Sequence, residues 1–190
     1  MKAVAILGSP RHKMNTDILL NEIIKGLVSV AVDVEKIQLG KLAIKPCIAC
    51  GYCEKTGTCF IQDDITPLYD KFNQADIVVV ASPLYFNSVS SITKIMVDRC
   101  QAFWSSKYVF QQSSIDRQKR RKGIFICTAG SQLSENGFIG ATVVMDLFFR
   151  AINTEHKGSV LVDNTDKDFV GDNKILLDEV YRMGQELASL

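Results

Sequence analysis

Five short runs of apolar, largely β-branched residues alternate along the chain with longer segments whose apolar positions recur at helical spacing. The runs cover residues 2–7, 32–39, 76–81, 123–128 and 158–162. Continuous apolar runs such as residues 77–80 are typical of strands that are buried on both faces of a sheet. The helical patterns cover residues 15–30, 89–104, 138–151 and 173–187. This alternation predicts an open parallel α/β sheet with right-handed crossovers.

Composition narrows the class of protein to which such a sheet can belong. The chain has 190 residues, enough for one domain with a substantial core, and its 22 Lys and Arg nearly balance 21 Asp and Glu. No overall field therefore draws it to nucleic acid or to a membrane surface, and no segment reaches membrane-spanning length. The N-terminal apolar run is too short for a signal peptide. We expect one domain over residues 1–190, in the cytoplasm, that binds neither nucleic acid nor membranes.

The loops that follow the predicted strands are the expected place for a ligand. In an open parallel sheet, ligands gather outside the carboxyl ends of the strands. Those ends lead here into residues 8–15, 40–59, 82–88 and 129–137. We expect these loops to converge on one edge of the sheet.

The loop after the first strand has the character of a phosphate-binding turn. It consists of Gly8-Ser9-Pro10-Arg11, and Asn15-Thr16 opens the following helix. Such a loop offers backbone N–H groups, hydroxyls and the positive end of a helix dipole, and an arginine can hold two phosphate oxygens at once. The pattern matches neither the dinucleotide fingerprint G-x-G-x-x-G nor the triphosphate loop that ends in Gly-Lys-Ser/Thr.

Two aromatic residues follow the third strand at the same edge. The stretch is Ser82-Pro83-Leu84-Tyr85-Phe86-Asn87. Its rings could stack against a planar ligand while loop N–H groups meet the heteroatoms of that ligand, or the two rings could simply be packing residues. Together with the phosphate loop, the stretch favours a phosphorylated planar cofactor.

Four of the six cysteines lie in the loop after the second strand. Cys47, Cys50, Cys53 and Cys59 have the spacing C-x2-C-x2-C-x5-C, and we call residues 46–60 the cysteine loop. In a reducing compartment such a run indicates metal binding or catalysis rather than a structural disulfide. Structural zinc sites usually take two separated pairs, whereas three thiols at intervals of three resemble a ferredoxin-type run, although that run closes with a shorter interval and Cys-Pro. An iron–sulfur cluster, a zinc site, and free or redox-active thiols all remain open.

Other conspicuous residues are expected to be structural. Cys127 lies in a predicted buried strand and Cys100 on the apolar face of a predicted helix, so both should be core residues. The basic run at residues 119–122 is interpreted as a solvent-exposed segment that leads into the fourth strand, and not as a phosphate site. No Ser-His-Asp or paired-carboxylate pattern is present, which argues against hydrolase chemistry.

Taken together, these motifs resemble the NADPH-dependent FMN reductases with a flavodoxin-like fold. The similar segments are residues 8–16, residues 82–86 and Thr128-Ala129-Gly130-Ser131. The cysteine loop followed by Asp63-Asp64 is similar to the iron–sulfur flavoprotein branch of that family. The likeness covers nearly the whole chain, but residues 111–122 and 132–140 match nothing in it. It implies a three-layer sandwich with a five-stranded parallel sheet in the order 2-1-3-4-5.

The resemblance also implies the residues that hold each cofactor. The FMN phosphate would be held by Ser9, Arg11, Asn15 and Thr16. The isoalloxazine would be bordered by Pro83, Leu84, Tyr85, Phe86, Asn87, Ala129, Gly130 and Ser131. A [4Fe–4S] cluster, which purification in air could remove, would be held by Cys47, Cys50, Cys53 and Cys59. No side chain is expected to act as a general acid or base, because the flavin supplies the chemistry.

These expectations describe an FMN-dependent oxidoreductase that passes electrons between a [4Fe–4S] cluster and FMN, with ferredoxin or NAD(P)H as the donor. The resemblance implies a homodimer or homotetramer. One alternative is an NAD(P)H-dependent FMN or quinone reductase whose cysteine loop holds zinc or free thiols. A second alternative is a non-enzymatic flavin electron carrier or a cysteine-based redox or metal sensor.

Overall fold

The computed structural model describes residues 1–189, which form six strands and seven α-helices. The strands are β1 (Lys2–Leu7), β2 (Asp33–Gln38), β3 (Ile77–Tyr85), β4 (Ser88–Val89), β5 (Arg121–Thr128) and β6 (Thr154–Val162). The helices are α1 (Asn15–Ser29), α2 (Tyr52–Thr56), α3 (Thr66–Gln74), α4 (Ser91–Arg99), α5 (Gln101–Tyr108), α6 (Ile139–Ala151) and α7 (Lys174–Ser189).

Five parallel strands form the central sheet, in the order β2-β1-β3-β5-β6. Counting only these strands, the order is 2-1-3-4-5, so the predicted topology is confirmed. Leu7 pairs with Ala81, and Ala81 pairs with Ile126, which aligns the carboxyl ends of β1, β3 and β5. Because these ends are level, the loops that follow them lie at one edge of the sheet. The short strand β4 pairs antiparallel with β3 outside this order.

Helices cover both faces of the sheet and complete the predicted three-layer sandwich. On one face, Leu19 and Ile23 of α1 and Val180 of α7 pack against alternate residues of the central strands. On the other face, Phe72 of α3 and Phe148 of α6 belong to the second core cluster. Both clusters include residues of β1 and β3, which explains why residues 3–7 and 77–81 are apolar throughout.

Helices α1 and α7 cross at two glycines. A Cβ atom at Gly26 would clash with the carbonyl oxygen of Tyr181, and one at Gly184 would clash with that of Ile23. The two backbones can approach this closely only because neither position has a side chain. The crossing fixes α7 beside the helix that begins at the phosphate loop.

The single helix predicted for residues 89–104 is wrong. Residues 84–89 form a hairpin, α4 then begins at Ser91, and a break at Cys100 separates it from α5. The Cys100 N–H donates to both Met96 O and Val97 O, which tightens the last turn of α4 and starts α5 afresh. Apolar residues at helical spacing on both sides of the break conceal it in the sequence.

Helices α2 and α3 are absent from the sequence-based prediction. Helix α2 has only five residues and lies between Gly51 and Gly57, both in the left-handed conformation. Helix α3 has nine residues and buries only Leu68 and Phe72. Their apolar patterns are too short to be distinguished from a loop.

The basic run at residues 119–122 is not uniformly solvated, and the prediction for Arg121 is wrong. Arg121 is 1% exposed, and its guanidinium donates to the carbonyl oxygens of Phe72, Asn73 and Asp116. The side chain therefore holds the end of α3 and the following loop against the start of β5. This contact depends on the tertiary structure, because the carbonyl groups of Phe72 and Asn73 lie 49 and 48 residues away in the chain.

Candidate functional site

A cavity of about 330 Å³ lies at the carboxyl ends of the parallel strands. It brings together nine residues of the predicted flavin site, namely Ser9, Arg11, Asn15, Thr16, Pro83, Leu84, Tyr85, Gly130 and Ser131. Thr165 and Asp166, which follow β6, also line it and were not anticipated from the sequence. The signal that could have found them is their position after the last parallel strand, at the same edge as the other loops.

The phosphate loop is turned toward this cavity by its own backbone contacts. The Gly8 N–H donates to Ala81 O at 2.7 Å, and the Arg11 N–H donates to the buried Ser9 hydroxyl at 3.1 Å. The Arg11 side chain is exposed, lines the cavity and forms no ion pair with any residue in 1–189. It is thus a cation available to an anionic ligand.

Hydrogen bonds from Ser90, the residue before α4, support the phosphate loop. The Ser90 hydroxyl donates to Gly8 O at 2.7 Å, and the Ser90 N–H donates to the Ser82 hydroxyl at 2.9 Å. A Cβ atom at Gly8 would clash with the hydroxyl of Thr93. These hydrogen bonds hold the loops after β1 and β3 together.

Two of the predicted phosphate residues are engaged with the protein itself. The Asn15 side-chain amide donates to Thr165 O at 3.2 Å, and its oxygen accepts from the Val170 N–H at 3.1 Å. The Thr16 hydroxyl shares a 2.6 Å hydrogen bond with that of Thr128. These contacts join α1 to the loops after β5 and β6, so both residues position the cavity wall.

The carboxylate of Asp17 stabilises the first turn of α1. It accepts from the Lys13 N–H at 2.7 Å and forms a hydrogen-bonded ion pair with Lys36. Burial raises the pKa of Asp17, but the hydrogen bonds and the positive charge of Lys36 outweigh burial and leave this pKa below its ordinary value. Asp17 is therefore held as a carboxylate by interactions within the protein.

The three remaining predicted flavin residues do not line the cavity. Phe86 and Asn87 form the two-residue turn between β3 and β4, with φ of 49° and 57°. Two positive φ values suit a hairpin turn whose twist matches its strands, and they leave Phe86 fully exposed. Ala129 is buried behind the cavity, where its N–H donates to Val162 O.

The cysteine loop lies at the same edge of the sheet, after β2. Cys47 and Cys50 are exposed, Cys53 and Cys59 are half-buried, and all four are free thiols. The Cys53 thiol donates to the Ser105 hydroxyl at 3.5 Å, which connects α2 to α5. Within residues 1–189, no group of three or more Cys, His, Asp or Glu side chains is placed to hold a common metal ion.

A buried ion pair joins the two ends of the cysteine loop. Arg99 is 1% exposed, and its Nη1 donates to Asp63 Oδ2 at 2.7 Å and to Lys45 O at 2.9 Å. Its Nη2 donates to Ile61 O at 2.8 Å and to Asp63 Oδ1 at 3.2 Å. Asp63 in turn accepts from the N–H groups of Lys45 and Ile65. The buried Arg99 Nε has no acceptor within the described part of the chain.

Cys59 lies beside this ion pair and beside the Tyr69 hydroxyl. Burial lowers the pKa of Arg99, but the hydrogen bond to Asp63, the nearby Tyr69 and a contact with Cys59 raise it above its ordinary value overall. Burial also raises the pKa of Tyr69, and the nearby Cys100 and Cys59 add to that rise. The single O–H of Tyr69 donates to Arg99 O at 3.0 Å, so the guanidinium is the donor that remains for the thiol.

The other two cysteines are core residues, as predicted. Cys100 is 1% exposed and Cys127 is fully buried. Burial raises the pKa of both thiols, that of Cys127 to about 12. Both remain protonated near neutral pH and pack as small apolar side chains.

The sequence model of one protein family, described as NADPH-dependent FMN reductase, matches residues 1–137. This match covers most of the chain, including the phosphate loop, the cysteine loop and the hairpin after β3. The chain belongs to the NADPH-dependent FMN reductase family. The family predicted from the sequence motifs is confirmed.

Several curated relatives of this FMN reductase family member are named iron–sulfur flavoproteins. One from Methanocaldococcus jannaschii is 36% identical over 99 residues, which are 52% of this chain and 51% of that protein. Another, from Archaeoglobus fulgidus, is 37% identical over 99 residues, 52% of this chain and 45% of that protein. The chain thus spans about half the length of the curated relatives it matches.

Solved structures agree with the flavodoxin-like fold of this FMN reductase family member. An NAD(P)H:quinone oxidoreductase from Methanothermobacter marburgensis superimposes with a TM-score of 0.71 at 16% identity, covering 99% of this chain and 97% of that one. A flavodoxin from the domain Archaea superimposes with a TM-score of 0.57 at 17% identity, covering 100% and 97%. No helix within residues 1–189 has both the length and the apolar character needed to cross a membrane.

The residues of both sites fit the groups that the family and its relatives imply. At the cavity, an unpaired Arg11 beside hydroxyls and the start of α1 suits a phosphate group. In the cysteine loop, four free thiols suit iron or zinc by their chemistry, and the buried Arg99 Nε lacks an acceptor that a sulfur atom could provide. The thiols are not gathered in this conformation, so metal binding would require the loop to rearrange.

Proposed function

We propose that this member of the FMN reductase family is an FMN-dependent oxidoreductase that passes electrons between a [4Fe–4S] cluster in the cysteine loop and FMN in the cavity. The observation that most supports FMN binding is the cavity itself, where the loops after β1, β3, β5 and β6 meet around an unpaired Arg11. When bound, FMN supplies one- and two-electron chemistry, and the protein supplies orientation and electrostatics.

The proposed roles of the flavin-site residues follow from charge. Arg11 and the Ser9 loop hold the phosphate, and Asn15 and Thr16 keep the start of α1 in place beside them. Asp166 is a carboxylate in the same lining, so a phosphate would avoid it and lie on the Arg11 side. Residues 83–87 and 129–131 are proposed to border the isoalloxazine, with Tyr85 at the cavity and Phe86 able to reach it only if the hairpin tip bends.

The proposed cluster ligands are Cys47, Cys50, Cys53 and Cys59. Their support is the spacing, the free state of all four thiols and the names of curated relatives that match about half of the chain. Ferredoxin or NAD(P)H is the proposed donor. We also propose that residues 1–190 form one flavodoxin-like domain and that the protein works in the cytoplasm as a homodimer or homotetramer.

Anaerobic purification followed by flavin, iron and sulfide assays tests the proposal, with Cys50→Ala as the decisive variant. Loss of one ligand should remove or disable the cluster, while FMN binding persists because its loops follow other strands. Cys50→Ala should then lose reduction by a ferredoxin-type donor but still be bleached by a small chemical reductant. Cys100→Ala and Cys127→Ala are the matched controls and should keep full iron content.

Equal rates of flavin reduction by ferredoxin in the wild type and in Cys50→Ala would contradict electron transfer through the cysteine loop. A second candidate is an NAD(P)H-dependent FMN or quinone reductase whose cysteine loop holds zinc or free thiols. The dispersed positions of the four thiols favour the free-thiol form of this candidate. Rapid bleaching by NAD(P)H in protein that contains zinc or no metal would support it. Flavin without turnover would instead indicate an electron carrier, and metal without flavin a sensor.

A further inference from the structure

The Arg99–Asp63 ion pair closes the cysteine loop in a way that the proposed function leaves unexplained. A guanidinium has five N–H donors. Four of them are accounted for by Asp63, Lys45 and Ile61. The fifth, on Nε, is buried and has no acceptor among residues 1–189. A buried donor without an acceptor in an otherwise saturated ion pair indicates that a partner is missing.

The ion pair holds both ends of the loop through main-chain groups. Lys45 precedes Cys47 by two residues, and it is bound twice, by its carbonyl oxygen to Arg99 and by its N–H to Asp63. Ile61 follows Cys59 by two residues and is bound by its carbonyl oxygen to Arg99. The distance between the first and last cysteines of the loop is therefore restrained by this one buried pair.

We propose that Arg99 is the positioning residue of the cysteine loop: with Asp63 it fixes the loop ends, and its Nε–H donates to the Cys59 sulfur when the four thiols bind metal. The inference rests on the proposed function for the identity of the metal ligands. The Cys59 thiol already lies beside the guanidinium. A ligand sulfur is an acceptor that would satisfy Nε without displacing any of the existing contacts.

A lysine could not replace this arginine. Its ammonium group is a point charge with three donors and cannot span Asp63, two carbonyl groups and a sulfur at once. A cationic donor to a ligand sulfur also favours the more negative, reduced state of a cluster, since it stabilises added electron density. Loss of Arg99 should therefore weaken metal binding by the four thiols and make the reduction potential of the cluster more negative.

The test compares Arg99→Lys with the wild type by two measurements that do not depend on turnover. Anaerobic titration of the reduced apoprotein with Co²⁺, followed by thiolate charge-transfer absorption, should give an affinity at least tenfold lower for the variant. A redox titration of the reconstituted cluster, followed by electron paramagnetic resonance, should show a more negative midpoint. A tenfold change in the one-electron equilibrium corresponds to about 59 mV. FMN affinity should be unchanged.

Arg121→Lys is the matched control, because Arg121 is equally buried and also donates to carbonyl groups, but these belong to Phe72, Asn73 and Asp116 and not to the cysteine loop or its ends. It should lose stability without altering Co²⁺ affinity or the midpoint. If Arg99→Lys does not fold, Asp63→Asn takes its place and should also weaken Co²⁺ binding several-fold.

The possible outcomes show whether the inference fails alone or together with the proposed function. Wild-type protein that binds Co²⁺ and assembles a cluster, with the same affinity and midpoint in Arg99→Lys, would overturn the inference alone. An affinity loss with an unchanged midpoint would overturn the hydrogen bond from Nε to Cys59. Wild-type protein that takes up neither Co²⁺ nor iron would overturn the proposed cluster and this inference together.

Discussion

Arg11 is the residue on which flavin affinity should depend most. Its guanidinium lines the cavity without an ion-pair partner, so it can place charge-assisted hydrogen bonds on a phosphate. Because such bonds contribute about 1.5–3 kcal/mol each, Arg11→Ala should lower FMN affinity about tenfold or more. Fluorescence titration of the apoprotein with FMN measures this change.

The matched control for Arg11 is Arg182→Ala, which removes an exposed arginine of α7 outside the cavity. This variant should bind FMN like the wild type. The stability of the apoprotein should be almost the same in both variants. Unaltered FMN affinity in Arg11→Ala would show that the phosphate is held elsewhere.

Asp17 should make the stability of the fold depend on pH. The pKa of Asp17 in the folded protein lies below the ordinary value of 3.8. Its contribution to the stability of the fold is therefore complete above pH 3.8 and is lost as the pH falls through the pKa of the folded state. Asp17→Asn should therefore lower the urea midpoint clearly at pH 7, and the difference from the wild type should shrink below about pH 4.

The control for this pH dependence is Asp70→Asn, which changes an exposed carboxylate of α3. Its urea midpoint should stay close to that of the wild type at pH 7, 5 and 4. A difference between Asp17→Asn and the wild type that grows on acidification would mean that the Lys36 ion pair does not stabilise the folded state.

At the scale of elements, the crossing of α1 and α7 depends on glycine. A methyl group at Gly184 would meet the carbonyl oxygen of Ile23, and neither backbone can yield without moving the helix. Overpacking of this kind typically costs about 1–3 kcal/mol. Gly184→Ala should lower the free energy of unfolding by about that amount, as measured by urea denaturation.

Gly40→Ala serves as the comparison for the crossing, because nothing lies within 4 Å of a Cβ atom built there. Its stability should be within experimental error of the wild type. If Gly184→Ala were equally neutral, α1 and α7 would have to be separated more widely in solution than they are here.

The parallel strands and long helices were predictable because their apolar residues recur over many positions. The hairpin at residues 84–89 and the break at Cys100 were not, since the same apolar residues suit one helix as well as two. Their placement depends on contacts across the fold, such as the Ser90 hydroxyl to Gly8 O and the pairing of Leu84 with Val89.

For the whole molecule, we propose an apolar surface beside the cysteine loop as the subunit contact of the proposed homo-oligomer. Ile139, Val143 and Leu147 are exposed at every fourth position of α6, and exposed Trp104 lies nearby on α5. A cavity of about 860 Å³ in this surface is lined by Leu147, Trp104 and Cys47. Leu147→Lys should shift the mass measured by light scattering toward the monomer.

Val28→Lys provides the control for this prediction. Val28 is similarly exposed, at 55% against 59% for Leu147, but it lies on α1 at the other face of the sheet. Its mass should equal that of the wild type. An unchanged oligomer in Leu147→Lys would place the subunit contact elsewhere on the molecule.

The layers and the strand order were expected from the resemblance to the flavodoxin-like FMN reductases. The sequence by itself determined the alternation of strands and helices and the loops in which ligands would be sought. It could do so because burial on both faces of a parallel sheet demands long apolar patterns, and chain order then fixes where the carboxyl ends lie. The tertiary structure alone decided which side chains face the cavity, bringing in Thr165 and Asp166 and turning Phe86 to solvent. It alone decided that Arg99 would meet Asp63, Lys45 and Ile61, because a buried charge is stabilised by partners distant in the chain.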